Sequence, residues 1–195
     1  VDTDGVVGNT VDLTNNLQLD DTESVVKMLT VTDEKLAVVT DKRIIIIDLN
    51  GKRLGEAFPK SGYVQSVVCS KNGTILSADV TEEGLVVESL NTDTFEWRTY
   101  QKIKGDMVFS NNLLMDGVEY DYYFRDNSGI YGCNSEKNEC VKLLDYTASN
   151  IYTENVSSIR PLDGTRMIGI SDARATDGSK MILYTKVNPE DVVDK

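Results

Sequence analysis

The segment that decides the fold is Arg43-Ile44-Ile45-Ile46-Ile47-Asp48-Leu49-Asn50-Gly51-Lys52. Its four consecutive isoleucines favour a β-strand. Because both alternate sets of side chains are apolar, this strand is expected to be buried on both faces. The Asn-Gly pair that follows tolerates the positive φ angles of a type I′ hairpin turn. The segment therefore predicts a buried strand that leads through a tight turn into a second strand.

This strand-and-turn unit recurs along the chain. Residues 84–95 and 129–138 repeat it, and residues 180–187 form a degenerate fourth copy. The equivalent positions lie 41, 45 and 51 residues apart and are Ile45, Val86, Tyr131 and Ile182. A strand-built repeat of roughly 40–50 residues is typical of β-propeller blades, each of which is a four-stranded antiparallel sheet. The chain is therefore predicted to be all-β and propeller-like, with about four blades.

Turn signals divide the chain into a leader segment (residues 1–24), a repeat region (25–187) and an exit linker (188–195). The leader segment is either a strand that closes a ring or a linker. The ring is either complete or incomplete, and a β-sandwich or an irregular stacked meander is the competing architecture. In the third unit we predict the first strand at residues 106–109 and a long loop at 110–118. No segment shows a sustained helical period.

Composition restricts the partners of the chain. Its net charge of −12 and isoelectric point near 4.4 argue against nucleic acid and against an anionic membrane surface, since both need a basic patch. No apolar run approaches the ~20 residues that span a bilayer, so no membrane insertion is expected within this chain. Because it begins at Val1 rather than Met, the sequence is expected to be a processed form or an excised domain.

The chain has no histidine, which rules out catalytic pairs that need imidazole as the base. Three scattered cysteines do not form a typical zinc site, and no glycine-rich phosphate loop is present. Asp2, Asp4 and Gly5 match the start of a calcium loop, but the twelfth position is Leu13 in place of Glu. We therefore predict no catalytic residue, no metal site and no cofactor.

Carboxylates leave one enzymatic alternative open. Asp48, Asp79, Glu88 and Asp121 lie on predicted strands, and Asp48 and Glu88 are expected at equivalent positions of two repeats. A glycoside hydrolase needs two carboxyl groups roughly 5–9.5 Å apart. Solvent-facing or turn-capping roles are the far commoner use of such side chains.

Aromatic residues are concentrated in the third unit, where they either stack on a ligand or pack between blades. These residues are Tyr120, Tyr122, Tyr123 and Phe124, with Tyr131 and Tyr146 nearby in sequence. Phe95 and Trp97 share one face of a predicted outer strand. They form either an exposed contact or the cover of a blade edge.

The cysteines allow two interpretations. Cys133 and Cys140 flank a polar turn, so a hairpin there places them opposite each other, either as a disulfide or as two reduced thiols. Cys69 follows an apolar run and is predicted to be a core thiol.

At residues 44–52 and 86–92 the chain resembles bacterial propellers of the YVTN and quinoprotein-like type. In those blades an apolar strand is followed by an acidic or small residue and an Asn/Thr/Gly-Lys turn. The resemblance covers about residues 25–187, and the fourth repeat departs from it because no such turn follows Val187. The region is also similar to the β-rich repeats that precede the solute-binding domain of some extracytoplasmic lipoproteins of anaerobic Gram-positive bacteria. This resemblance implies association with solute uptake, but it supplies no functional residues.

These observations predict a non-enzymatic binding or scaffold module at the cell surface or outside the cell. Its partner would be a saccharide, a peptide or a neighbouring protein domain, but the sequence identifies no ligand-binding residue. The alternatives are a propeller-type glycoside hydrolase or lyase with paired carboxylates, and a purely structural spacer. An acidic pocket favours the first alternative, whereas an aromatic groove without paired acids favours binding.

Overall fold

The computed structural model describes residues 10–59, 66–105, 113–126, 128–145, 156–161, 166–174 and 180–186, the last three ranges through their backbone pairing alone. Within these ranges the chain is all-β and contains no α-helix. Its strands form four antiparallel sheets, and in each sheet the strands follow one another in chain order. This up-and-down arrangement is the connectivity of propeller blades, so the predicted fold class is confirmed.

The sheets are named A to D in chain order, and the first three have four strands each. Sheet A contains β1 (Val25–Thr32), β2 (Lys35–Thr40), β3 (Ile44–Asp48) and β4 (Arg53–Ala57). Sheet B contains β5 (Val68–Cys69), β6 (Ile75–Thr81), β7 (Gly84–Leu90) and β8 (Trp97–Lys104). Sheet C contains β9 (Leu114–Met115), β10 (Tyr122–Arg125), β11 (Gly129–Asn134) and β12 (Glu139–Asp145). Sheet D contains β13 (Val156–Pro161), β14 (Arg166–Arg174) and β15 (Lys180–Lys186).

The turn before the third strand establishes the repeat in sheets A, B and C. The amide of Thr40 donates to the carbonyl of Arg43 at 2.8 Å, and the amide of Asp126 donates to the carbonyl of Gly129 at 3.1 Å. Thr81 and Gly84 form the corresponding pair in sheet B. Positions 43, 84 and 129 are therefore equivalent, and their spacings of 41 and 45 residues agree with the sequence prediction. Ile182 lies on β15, the third strand of sheet D.

Glycine at two of these positions has a steric cause. Gly84 has a φ of +132°, and a Cβ atom there would lie 2.1 Å from the carbonyl oxygen of Ile103 on β8. A Cβ atom at Gly129 would lie 2.0 Å from the carbonyl oxygen of Leu144 on β12. The fourth strand approaches the start of the third too closely for a side chain in sheets B and C. Sheet A has Arg43 at the equivalent position.

The sheets stack through two apolar clusters. The A/B core joins residues from sheets A and B, together with Val67, which precedes β5: Val31, Ala37, Val39, Ile44, Ile46, Ala57, Val67, Ile75 and Leu90. The B/C core joins sheet B to sheet C through Leu76, Ala78, Leu85, Val87, Leu114, Tyr122, Phe124 and their neighbours. Alternate residues of β6 and β7 enter the two cores, so sheet B is buried on both faces. The first strands β1, β5 and β9 contact one another in succession, as inner strands of adjacent blades do.

The predicted loop of the third unit, residues 110–118, is corrected by the structure. Residues 106–109 and 110–112 lie outside the described residues, but the first strand of sheet C is Leu114–Met115, inside the predicted loop. Leu113, Leu114 and Met115 are all buried, and β9 pairs with β10. This two-residue segment forms a strand because its side chains are buried between the stacked sheets.

The described part of the leader segment, residues 10–24, contains no strand. Leu13, Leu17 and Leu19 pack against Val38, Ile45 and Ile47, on the face of sheet A that points away from sheet B. The exit linker lies outside the described residues. In the part of the chain that the structure describes, no helix is long and apolar enough to cross a membrane.

Candidate functional site

The candidate acids Asp48 and Glu88 are not equivalent. Counting from the turn that precedes the third strand, Asp48 aligns with Ser89, and Glu88 aligns with Ile47. The predicted equivalence is wrong by one residue, which places the two side chains on opposite faces of their sheets. Asp48 is a turn cap, since its Oδ1 accepts from the amides of Asn50 and Lys52 at 2.9 Å each.

Glu88 instead shares one face of sheet B with another candidate acid, Asp79. Asp79 on β6 pairs with Val86, and Glu88 on β7 pairs with Ser77, so Asp79 and Glu88 are diagonal neighbours in sheet B. Such neighbours are roughly 7–8 Å apart. Glu88 is buried and Asp79 is half-buried. Asp121 immediately precedes β10 of sheet C, and its Oδ2 accepts from the amide and the hydroxyl of Ser135 at 2.8 Å each.

Three aromatic residues of the third unit, Tyr122, Tyr123 and Phe124, are fully buried. Tyr122 and Phe124 belong to the B/C core, and the Tyr122 hydroxyl donates to Gln101 Oε1 at 2.7 Å. Burial raises the pKa of Tyr122 far above its usual value. Phe124 stacks on Tyr131 with ring centroids 4.6 Å apart. Tyr123 is also buried and meets the edge of Tyr120 at 5.6 Å. Tyr146 lies outside the described residues.

Phe95 and Trp97 cover the edge of two blades. Both pack against the A/B core, and Trp97 Nε1 donates to the carbonyl oxygen of Phe58 at 2.9 Å. Phe95 lies over Gly55, where a Cβ atom would be 2.2 Å from Phe95 Cζ. Of the two interpretations of this pair, the structure therefore supports the blade-edge cover.

Cys133 and Cys140 are directly paired across β11 and β12. The structure joins them in a disulfide with a Cα separation of 4.1 Å. Cys69 is a half-buried free thiol that donates to the carbonyl oxygen of Thr30 at 3.3 Å, and burial raises its pKa. This environment makes the Cys69 thiolate, and hence nucleophilic chemistry, unfavourable.

Metal ligands do not cluster in the described ranges, where no group of three His, Cys, Asp or Glu side chains converges. The Asp2–Asp4 calcium candidate lies outside these ranges. Asp126, which begins another acidic turn, uses its Oδ1 to accept from the amides of Ser128 and Gly129 at 2.7 and 3.0 Å. It therefore acts as a turn cap.

A cleft of about 290 Å³ opens between sheets A and B, and we call it the A/B cleft. The end of β1 and two turns of sheet B, the β5–β6 turn and the β7–β8 turn, build it. Its lining is Val31, Thr32, Asn72, Gly73, Thr74, Ile75, Leu90, Asn91, Thr92 and Asp93. Val31, Ile75 and Leu90 belong to the A/B core, so an aliphatic floor is surrounded by amide and hydroxyl groups.

The walls of the A/B cleft are held by local contacts. Asn91 Oδ1 accepts from the amides of Asp93 and Thr94 at 2.9 and 3.0 Å. Asp93 forms an ion pair with Lys35 at 2.5 Å, which links the β7–β8 turn to sheet A. Gly73, with a φ of +80°, approaches β1 so closely that a Cβ atom would lie 2.2 Å from the carbonyl oxygen of Val31. The cleft is therefore preorganised, and its single carboxylate is already paired.

The composition of Asn72-Gly73 and of residues 91–94 is typical of turns, but it does not indicate that they form one site. The cleft exists because sheet A and sheet B are stacked with these turns at the same end. The spacing of these residues in the sequence does not predict that the turns lie together. Polar side chains at the turn tips were the available signal.

Comparison with known proteins identifies the fold. No family model matches the chain, and no curated protein matches it in sequence. The Neurospora crassa Pan2 WD40 domain matches its structure with a TM-score of 0.51 at 8% identity, over 86% of this chain and 49% of that chain. The RRP9 WD40 repeats match with a TM-score of 0.52 at 12% identity, over 85% of this chain and 52% of that chain. The chain thus spans about half the length of these two structures. They support a propeller-like fold, at identities that show the fold alone.

Proposed function

We propose that this chain is a non-enzymatic binding module that recognises a peptide segment of a protein partner in the A/B cleft. The observation that carries the proposal is the chemistry of the cleft lining. Threonine hydroxyls and asparagine amides surround an aliphatic floor, and the one carboxylate is paired with Lys35. Neutral donors and acceptors match the amides of an extended peptide, while the floor accepts an apolar side chain.

A peptide fits the cleft better than a saccharide does. Saccharide sites commonly offer a flat aromatic face for stacking, and no aromatic residue lines the A/B cleft. The nearby Phe95 and Trp97 pack against the A/B core instead. The cleft is formed by turns on a stacked scaffold, which is the usual location of recognition residues in repeat proteins.

We place this module outside the cytoplasm. A disulfide at Cys133 and Cys140 supports this location, since such bonds persist in oxidising compartments. Association with solute uptake rests on the resemblance to the repeat region of extracytoplasmic lipoproteins. The partner in that case is a neighbouring domain or subunit.

Selection from a random displayed-peptide library tests the proposal. The Thr92→Arg variant fills the cleft, and Thr94→Arg is its matched control on the same turn, since Thr94 does not line the cleft. Peptides retained by the wild-type chain should bind Thr92→Arg at least about tenfold more weakly and Thr94→Arg with unchanged affinity. A selection that yields no peptide, or peptides that bind both variants equally, would contradict the proposal.

Asp79 and Glu88 favour a second candidate function. Their diagonal placement suits the roughly 6.5–9.5 Å separation of an inverting glycoside hydrolase, and Glu88 is buried. We rank it lower because the face that carries both acids points toward sheet A and not into the A/B cleft. Turnover of chromogenic aryl glycosides that is abolished by Glu88→Gln and by Asp79→Asn would establish it.

A further inference from the structure

We propose that the leader segment is an end cap that takes the place of a neighbouring blade on sheet A. Residues 10–24 lie where a propeller would stack another sheet, and they cover that face over β2 and β3 without forming a strand. The blade stack would then end at sheet A, rather than continue through it. This inference is independent of the A/B cleft, which lies on the other side of sheet A.

Sheet A is built like an internal blade. Ala37, Val39, Ile44 and Ile46 face sheet B, while the intervening Leu36, Val38, Ile45 and Ile47 face the leader segment. Both sets of side chains are aliphatic, as expected of a sheet that is covered on both sides. An end blade with this pattern needs a cover, because an apolar face left in water causes self-association.

The leader segment supplies that cover with few side chains. Leu17 is 5% exposed and belongs to the same cluster as Val38, Ile45 and Ile47. Leu13 and Leu19 flank it, and the Leu17 amide donates to the Leu13 carbonyl at 3.1 Å. A groove of about 670 Å³ remains between the leader segment and Val25 at the start of β1. The cover is therefore complete over β2 and β3 and incomplete along β1.

A set of charged contacts fastens the leader segment to sheet A. Arg43 donates from Nη2 to the Gln18 carbonyl at 2.7 Å and binds the Glu23 carboxylate through Nε and Nη2, both at 2.9 Å. Arg53 donates to the Leu17 carbonyl at 3.3 Å and pairs with Glu56 at 2.6 Å. Glu56 also pairs with Arg43. Neighbouring blades contact each other through the apolar A/B and B/C cores, with polar contacts such as the Lys35–Asp93 ion pair beside them.

The position of Arg43 is specific to this sheet. Sheets B and C have Gly84 and Gly129 there, in a space that admits no side chain. Sheet A alone among these three has a long side chain at this point of the repeat, and that side chain binds the leader segment. Binding of the leader segment thus explains why sheet A has an arginine where sheets B and C have glycine. It also explains how the face of sheet A that points away from sheet B is covered.

A blade docked on this face would have to displace the leader segment. It would also cover Val25, Val26 and Met28 of β1, which are all between 46% and 49% exposed here. The two arrangements are mutually exclusive and differ in the protection of residues 13–23.

Hydrogen exchange on the full chain tests the end cap. In the wild-type protein the Leu17 and Glu23 amides should exchange at least about a hundredfold more slowly than an unstructured peptide. Leu17→Asp should abolish this protection and increase binding of an apolar dye severalfold, because Ile45 and Ile47 become exposed. Leu49→Asp is the matched control, since Leu49 is 56% exposed and should change neither readout.

Trp97 fluorescence reports whether sheets A and B still pack in the Leu17→Asp variant. If that variant unfolds, Arg43→Gly replaces it, because glycine is the residue of the equivalent positions. Arg43→Gly should accelerate exchange of residues 13–23 at least about tenfold while β2 and β3 stay protected. Unprotected leader amides in the wild-type chain would overturn the end cap, as would unchanged dye binding by folded Leu17→Asp or leader exchange unaffected by Arg43→Gly.

Discussion

Glu23 belongs to the leader segment, and its carboxylate is buried against sheet A and fully hydrogen-bonded. Its Oε1 accepts from Thr40 Oγ1 at 2.6 Å and Arg43 Nε at 2.9 Å, and its Oε2 accepts from Arg43 Nη2 at 2.9 Å and the Asp20 amide at 3.1 Å. Burial alone would raise the pKa of Glu23, but the bonds from Arg43 and Thr40 outweigh it and lower the pKa to about 2. The ionised form is therefore the form that the fold selects.

This lowered pKa predicts an acid-dependent loss of stability. The pKa is 4.5 when Glu23 is unperturbed and about 2 in the fold, so the stabilisation is present above about pH 4.5 and is lost as the pH falls toward 2. Its size at neutral pH is roughly 3 kcal/mol. Urea unfolding of Glu23→Gln at pH 7 should show a loss of this order, and the difference from wild type should shrink below pH 4.5.

Glu136→Gln is the control for that measurement, because Glu136 is exposed in the β11–β12 turn. It should leave the urea midpoint unchanged at both pH values. A Glu23→Gln variant whose deficit is the same at pH 7 and at pH 3 would show that Glu23 acts through packing and not through its charge.

Gly84 gives a second prediction at a single residue. Gly84→Ala places a Cβ atom 2.1 Å from the Ile103 carbonyl and forces alanine into a φ of +132°. Strain at such a position costs about 1–3 kcal/mol, so the free energy of unfolding should fall by at least that amount. Glu83→Ala, on the exposed turn next to it, should change this free energy by less than about 0.5 kcal/mol. Equal stability of Gly84→Ala and wild type would contradict the close approach of β7 and β8.

At the scale of elements, the disulfide closes the β11–β12 hairpin. The sulfur atoms join residues seven apart in sequence, and such a short loop is expected to contribute about 2–3 kcal/mol. Labelling of the denatured, unreduced protein should find one free thiol per chain, that of Cys69. Cys133→Ser with Cys140→Ser should lower the free energy of unfolding by the stated amount. Three reactive thiols in protein purified without reductant would contradict the bond.

The third strands were predictable from sequence because local signals agree there. Isoleucines 44–47 are apolar on both faces, and Asn50-Gly51 marks the following turn. Strand β9 was not predictable, because a two-residue strand has no periodicity of its own and forms only where the stack buries Leu114. The leader segment was predicted as a ring-closing strand or a linker, but its packing on sheet A was not. Leu13, Leu17 and Leu19 acquire a role only against that sheet.

The candidate site depends even more strongly on how the sheets stack. Thr32, Asn72 and Thr92 are far apart in sequence and share the A/B cleft because their turns lie at one end of the stack. The acidic residues depend on strand register. Alignment of the repeats made Asp48 and Glu88 equivalent, with an error of one residue, whereas strand pairing places Asp79 and Glu88 on one face. Pairing register, which the sequence leaves undetermined, decides which carboxylates meet.

At the scale of the whole molecule, sheet B couples its two neighbours. Ile75 and Leu90 enter the A/B core, while Leu76 and Val87 enter the B/C core. Ile75 and Leu76 are neighbours on β6, and Val87 and Leu90 both lie on β7. Disorder in one core therefore disturbs the backbone that supports the other core. Sheets A, B and C are therefore expected to unfold as one cooperative unit, unlike a stack of independent repeats.

Ile46→Ala tests this coupling, because Ile46 is fully buried in the A/B core on sheet A. The lost methylene groups and the cavity should cost about 2–5 kcal/mol. If the sheets are coupled, native-state hydrogen exchange should show the same loss of protection in β3 and in β11 of sheet C. Leu49→Ala, at an exposed site, should change neither strand. Protection that falls in β3 while β11 keeps its wild-type value would show that the blades open separately. The A/B cleft would then lie between units that can part, and a peptide bound there would stabilise the contact between them.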